Sequence, residues 1–163
     1  MAANEQQIQN AEKVFGSICS MLDSINFRYE TSKRDEDYMI TCTVNGEDIP
    51  MKMYIIVRTA REIVTLLSPM PFNTPEDKRI EMAMAVAIAN YGIIDGSFDY
   101  DLSDGEIRFR LTASYIESLL GEELFKYMLY ISANTVDHYN DRFLAVAKGT
   151  MTVEEFIQKD KED

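Results

Sequence analysis

The alternation of apolar and polar positions divides the chain into a helix, four strands, a helix, two strands and a long helix. Ile8, Ala11, Phe15, Ile18, Cys19 and Leu22 recur at helical spacing on one side of the first segment, with Glu12, Lys13 and Asp23 facing away. Asn4, with Gln7 three residues on, forms a capping box for its start, and the helix ends near Ser24. The period drops to two in "FRYET", where Phe27 and Tyr29 oppose Arg28 and Glu30. It stays at two through "YMITCTVNGEDIPMKMYIIVR". Asn45-Gly46 favours a two-residue type I′ turn, because both positions tolerate positive φ. That turn sets Cys42 opposite Ile49, Ile40 opposite Met51 and Tyr38 opposite Met53, all on one face. Pro50 has no N–H for a ladder and suggests an edge position or a bulge. A fourth strand over about 62–68 follows the turn "TARE".

In "SPMPFNTPED", Thr74 is the expected cap, Pro75 the first helical residue and Asp77 an acid in the positive first turn. The second helix runs to Gly92, a left-handed terminator by type. Its predicted core stripe is Ile80, Ala83, Met84, Ala87, Ile88 and Tyr91; Met82, Val86 and Ala89 widen it. A helix apolar over so much of its girth is expected to be buried on two sides, on the sheet and under the last long helix or a second subunit. That long helix spans about 122–148, with Phe125, Leu129, Ser132, Val136, Tyr139, Phe143 and Val146 inward and Gly149 at its end. Thr152 with Glu155 is a capping box for a short final helix. The order α-β-β-β-β-α-β-β-α predicts one α+β domain over 1–163, built on an antiparallel sheet of about six strands. Its core covers about 5–150, and 151–163 is a short helix with a charged tail.

The stretch "GSFDYDLSDGEIRFRL" looks most like chemistry. A calcium loop of the EF-hand type needs glycine at its sixth position and a bidentate carboxylate at its twelfth. Counted from Asp99, those positions hold Asp104 and Arg110, so the metal reading fails. As a hairpin turning at Asp104-Gly105, the segment pairs Asp101 with Arg108, Asp99 with Arg110, Tyr100 with Phe109, Phe98 with Leu111 and Leu102 with Ile107. Such cross-strand pairs contribute about 0.2–1 kcal/mol each.

Charge narrows the function classes. A net charge of −12 repels polyanions and anionic lipid surfaces, so neither a nucleic acid nor a membrane is the expected partner. Cys19 and Cys42 form no CxxC pair and read as small buried hydrophobes in a reducing compartment. The N-terminus lacks the pattern of a signal peptide and no unbroken apolar run could span a membrane, so a cytoplasmic protein is expected. His138, the single histidine, is flanked by Asp137 and Asp141, yet neither a ligand set nor a nucleophile accompanies it; it reads as a partly exposed helix residue. No catalytic, cofactor or metal site is legible.

The order "NYGIIDGSFDYDLSDGEIRFRL" resembles the strand–DG–strand hairpin segment of the YbjN family, described as bacterial sensory-transduction regulators. "MPFNTPEDKRIEMAMAVAIAN" is similar to that family's entry to its central helix, and "MLYISANTVDHYNDRFLAVAKG" to its closing helix; the likeness spans about 5–150. It implies a fold like that of the type III secretion chaperones and a non-enzymatic binding or regulatory role, with no catalytic residues to carry over. Independently, the third and fourth strands are apolar on both faces, so the sheet's second face is partly covered. Its cover is the chain's own helices, a protein partner or a second copy in a homodimer. Tyr54, Ile56, Val64 and Leu66 are the candidate partner-binding surface. The alternative function is a small-molecule sensor with a Met- and Tyr-lined pocket between the central helix and the sheet.

Overall fold

The computed structural model describes residues 3–118 and 120–162. Six antiparallel strands, β1 (Tyr29–Arg34), β2 (Asp37–Asn45), β3 (Pro50–Arg58), β4 (Ile63–Asn73), β5 (Ser97–Tyr100) and β6 (Glu106–Ser114), form one sheet in the order β1-β2-β3-β4-β6-β5. Four helices complete an α+β fold: α1 (Glu5–Ser24), α2 (Arg79–Gly92), α3 (Glu122–Ala147) and α4 (Val153–Glu162). Among the described residues, no helix is long and apolar enough to cross a membrane.

Local signals set several boundaries. The Asn4–Gln7 capping box opens α1, each partner donating a backbone N–H to the other's side chain at 2.9 Å. Glu155 and Thr152 close the second box at the start of α4. Gly149 takes φ +70 after α3, and Lys148 N–H still reaches Leu144 O at 2.9 Å. Gly92 is not the left-handed terminator expected of it: α2 runs through Gly92, Ile93 follows in extended backbone, and the positive φ falls at Gly96. Thr74 does not cap α2 either. Its backbone N–H donates to Gly105 O at 2.9 Å, its hydroxyl is buried, and a single 3-10 turn, Glu76–Lys78, leads into the helix.

Both hairpins keep their faces and change their registers. Cys42 pairs with Met53 and Ile40 with Ile55, leaving 46–49 as the loop in place of a two-residue turn. Asp137 on α3 captures that loop by accepting the Glu47 N–H at 3.1 Å, a contact no local turn rule contains. In the second hairpin Phe98 pairs with Phe109 and Asp99 with Arg108, and the turn widens to 102–105. Both slips move pairing by an even number of positions, so the side chains that remain in the strands stay on their predicted sides. Leu102, expected in the core, sits in the turn and is exposed.

The helices cover one face of the sheet. Ile40, Met53, Val57, Val64, Leu66 and Phe109 point into this layer, and Val136 and Phe143 of α3 are buried with them. Rings of Phe98, Tyr139, Phe143 and Phe156 pack together, with centroids 5.0–6.3 Å apart, joining β5, α3 and α4. The helices over the sheet are α3 and α1, whereas α2 packs on α3, α4 and the edge strand β5. The stripe predicted to bury α2 divides: Ile80, Met84 and Tyr91 are exposed, Ile88 packs against the core, and Met82, Val86 and Ala89, which widen the stripe, are buried together with Ala85. Apolar residues occupy both sides of α2, so periodicity could not orient it.

The open sheet face as a candidate docking site

The second face of the sheet carries apolar side chains that no helix touches. Met39, Tyr54, Ile56, Ile63 and Leu67 are half-buried, yet none packs against the core. The ladder lines them up. One rung runs Ser32, Met39, Ile56, Thr65 and Thr112; the next runs Glu30, Thr41, Tyr54, Leu67, Arg110 and Ser97. Arg58, Ile63 and Ser114 make a third. Cross-strand neighbours partly shield one another, which explains intermediate exposure without a covering layer. The chain's own helices are therefore not what these residues face.

The four residues expected as a partner surface divide between the two faces. Tyr54 and Ile56 lie on the open one. Val64 and Leu66 are 0% and 1% exposed on the core side, paired with Val57 and Ile55, and the β4 residues on the open face are Ile63, Thr65 and Leu67. Five consecutive residues of β4 from Ile63 include only one polar side chain, so alternation could not decide its parity.

Between β3, β4 and β6 this face dips into an open groove of about 550 Å³, floored by Ile63, Thr65 and Leu67 and edged by Arg58, Arg61, Arg108 and Arg110. Asp99 organises the β6 edge: Arg110 donates to it through both Nε and a terminal nitrogen at 2.8 and 2.7 Å, and Arg108 stands 3.4 Å away. The Arg110 hydrogen bonds hold the Asp99 carboxyl below the ordinary carboxylate range despite partial desolvation, and the same hydrogen bonds, with the Asp99 charge, raise the Arg110 value in turn. On the opposite edge Arg58 lies 3.7 Å from Asp37, a loose pair. Lys52 sits 5.4 Å over the Tyr54 ring.

The acids that suggested a metal loop have other work. Asp101 accepts the Ser103 N–H and hydroxyl at 2.8 and 2.7 Å, and Asp104 accepts the Glu106 N–H at 2.9 Å. The Ser103 hydroxyl is the main reason the Asp101 carboxyl is held low. Among the described residues, no group of three His, Cys, Asp or Glu side chains is placed to hold a metal ion. His138 is exposed on α3, edge-on to the Tyr139 ring at 4.8 Å. Both cysteines are free thiols. Burial pushes the Cys42 thiol up to about 11, which leaves it protonated and unreactive.

A second apolar surface lies on the helical side. Ile80, Met84, Tyr91 and Ile94 project from α2 and its C-terminal end, with Tyr91 and Ile94 at 96% and 95% exposure. Sequence reasoning assigned the α2 part of this stripe to the core.

Two solved structures share the fold. "Crystal structure of YbjN, a putative transcription regulator from E. coli" superposes with a TM-score of 0.58 at 9% identity, over 82% of this chain and 92% of that one. A chain of "Structure of the HopA1-SchA Chaperone-Effector Complex" does so at 0.56 and 10% identity, over 82% of this chain and 97% of that one. The α+β architecture is thus shared with a chain of a chaperone–effector complex. No curated protein matches the chain. The family model of YbjN, described as "Putative bacterial sensory transduction regulator", matches residues 16–145, from within α1 to the last turn of α3, and the chain belongs to the YbjN family.

Proposed function

We propose that this protein is a cytoplasmic, non-enzymatic regulatory module that docks a partner polypeptide on the open face of its sheet. The observation that carries this reading is the set Met39, Tyr54, Ile56, Ile63 and Leu67, apolar, aligned across three strands and covered by none of the chain's helices. A contiguous apolar patch with a polar rim is the anatomy of a protein interface. The family's regulatory description and a structural neighbour solved as a chaperone–effector complex support a role in binding. The test is affinity capture from the native lysate with wild type, Ile56→Lys and Ile80→Lys side by side. A partner held by wild type and Ile80→Lys but lost by Ile56→Lys supports the reading; a partner indifferent to Ile56→Lys refutes it.

The exposed α2 stripe favours a second, compatible reading, self-association. Paired antiparallel with a copy of itself, α2 can set the exposed Met84 against the exposed Ala87, large against small. Light scattering after size exclusion should then give twice the chain mass for wild type and the single-chain mass for Met84→Glu. A single-chain mass for both removes this reading.

A further inference from the structure

The groove on the open face carries the opposite charge from the rest of the protein. The chain has a net charge of −12, yet the residues lining this groove include four arginines and a single acid, Asp37. The arginines differ in how far they are compensated. Asp99 engages Arg110 closely, and Arg108 lies between Asp99 at 3.4 Å and Glu106 at 3.8 Å. Arg58 has only the loose 3.7 Å approach of Asp37, and Arg61 makes no ion pair among the described residues. These cations flank an apolar floor of Ile63 and Leu67 that continues through Ile56 and Tyr54. An occupant must therefore cover apolar surface along its middle and present carboxylates at its margins.

Resting on the docking face proposed above, we infer that its occupant is an acidic amphipathic segment of a partner protein. Its apolar side lies on Tyr54, Ile56, Ile63 and Leu67, and its Asp or Glu side chains meet Arg58 and Arg61 at one edge and Arg108 at the other. The guanidinium fork matches a carboxylate in two parallel hydrogen bonds, which a lysine rim would not offer. The net charge does not forbid the approach. At physiological salt charges are screened beyond about 8 Å, so a bound segment feels the groove more than the distant acids. Nucleic acid fits poorly, because its evenly charged backbone has no apolar stripe for the floor and the rest of the surface repels it. A small dicarboxylate would leave the apolar rungs uncovered.

The test uses the full chain and a labelled helix-forming peptide of about sixteen residues, about 24 Å long, with leucines on one side and glutamates on both flanks. A second peptide carries glutamine at every glutamate. Fluorescence anisotropy at low salt should show the acidic peptide binding at least about tenfold tighter, as two or three rim ion pairs predict. That advantage should shrink between about 50 and about 300 mM salt. Arg58→Gln combined with Arg61→Glu should erase the difference between the two peptides. If the double variant does not fold, Arg61→Gln alone should reduce it in the same sense. Equal binding of the two peptides, with both lost in Ile56→Lys, overturns the acidic partner and leaves the docking face standing. Failure of both peptides, or binding of both to Ile56→Lys as to wild type, removes the docking face as well. Single-stranded DNA that binds more tightly than the acidic peptide, with the same dependence on Arg61, overturns the inference in favour of a polyanion.

Discussion

Removing the Phe156 ring tests whether α4 is part of the domain or an appendage to it. Phe156 is 0% exposed, although it comes from a ten-residue helix beyond the family match at residues 16–145. Its ring stacks on Phe143 at 5.7 Å and on Tyr139 at 6.3 Å, and Phe98 holds both of those rings edge-on at 5.0 and 5.6 Å. Loss of the ring forfeits about 1.5–3 kcal/mol of burial and about 0.5–1.5 kcal/mol per aromatic contact. The rings around the void come from β5 and α3 and cannot collapse into it. Phe156→Ala should therefore cost about 3–5 kcal/mol, the usual range for a buried phenylalanine. In urea, with a slope of about 2 kcal/mol per M, the unfolding midpoint should fall by about 2 M with the slope unchanged. Phe156→Leu, which keeps most of the volume, should cost under about 1.5 kcal/mol. Amide exchange should locate the damage: Val153, the Asp160–Tyr139 hydrogen bond at 2.8 Å and packing on α2 still hold the helix, and α4 amides should exchange first. A midpoint shift under about 0.5 M, with α4 protection unchanged, would refute the claim that this helix completes the core.

Gly105→Ala should destabilise by about 2–4 kcal/mol in the same titration, since φ +80 is strained for alanine and a Cβ would strike the Thr74 backbone. The stability that Asp99 adds through Arg110 and Arg108 should be about 1 kcal/mol at neutral pH. Because its folded-state pKa is depressed, that increment is complete above the unfolded carboxylate range, about 4, and disappears as pH falls through the folded value; Asp99→Asn should differ from wild type at neutral pH and converge with it in acid. Asp48, raised chiefly by the Asp141 charge, carries the opposite sign, so Asp48→Asn should gain on wild type as pH rises through the carboxylate range. Ile56→Lys on the open face should change stability by no more than about 0.5 kcal/mol, whereas Ile55→Lys one position along, at 3% exposure, should unfold the chain; equal effects would mean that both faces are covered.

Much of the fold follows from short-range patterns. Asn4 with Gln7 and Thr152 with Glu155 satisfy orphan backbone N–H groups using neighbours three residues away, so those helix starts are written locally. The inward residues of α3 and the parity of β3 and β6 follow from periodicity, because one face of each is consistently apolar. Neutralisation of Asp99 by the arginines of β6 was legible as well, since one strand neighbours the other across a short turn.

What periodicity could not decide are the elements apolar on both sides. In α2, Met84 and Ile80 were as plausible core residues as Met82 and Val86, and the position of α3 and α4 settled which side faced them. In β4, pairing with β3 put Val64 and Leu66 inward and left Ile63 and Leu67 on the open face. The β2–β3 turn went the same way. Asn45-Gly46 favours a tight reversal by itself, but Asp137, ninety positions away from Glu47, holds a wider loop in place. The sequence by itself thus determined where α1 and α4 start and which strands have an unambiguous inner side, because capping and alternation act between near neighbours. Tertiary structure alone decided which apolar surface stays uncovered, and with it the candidate docking face, because burial depends on what packs from distant parts of the chain.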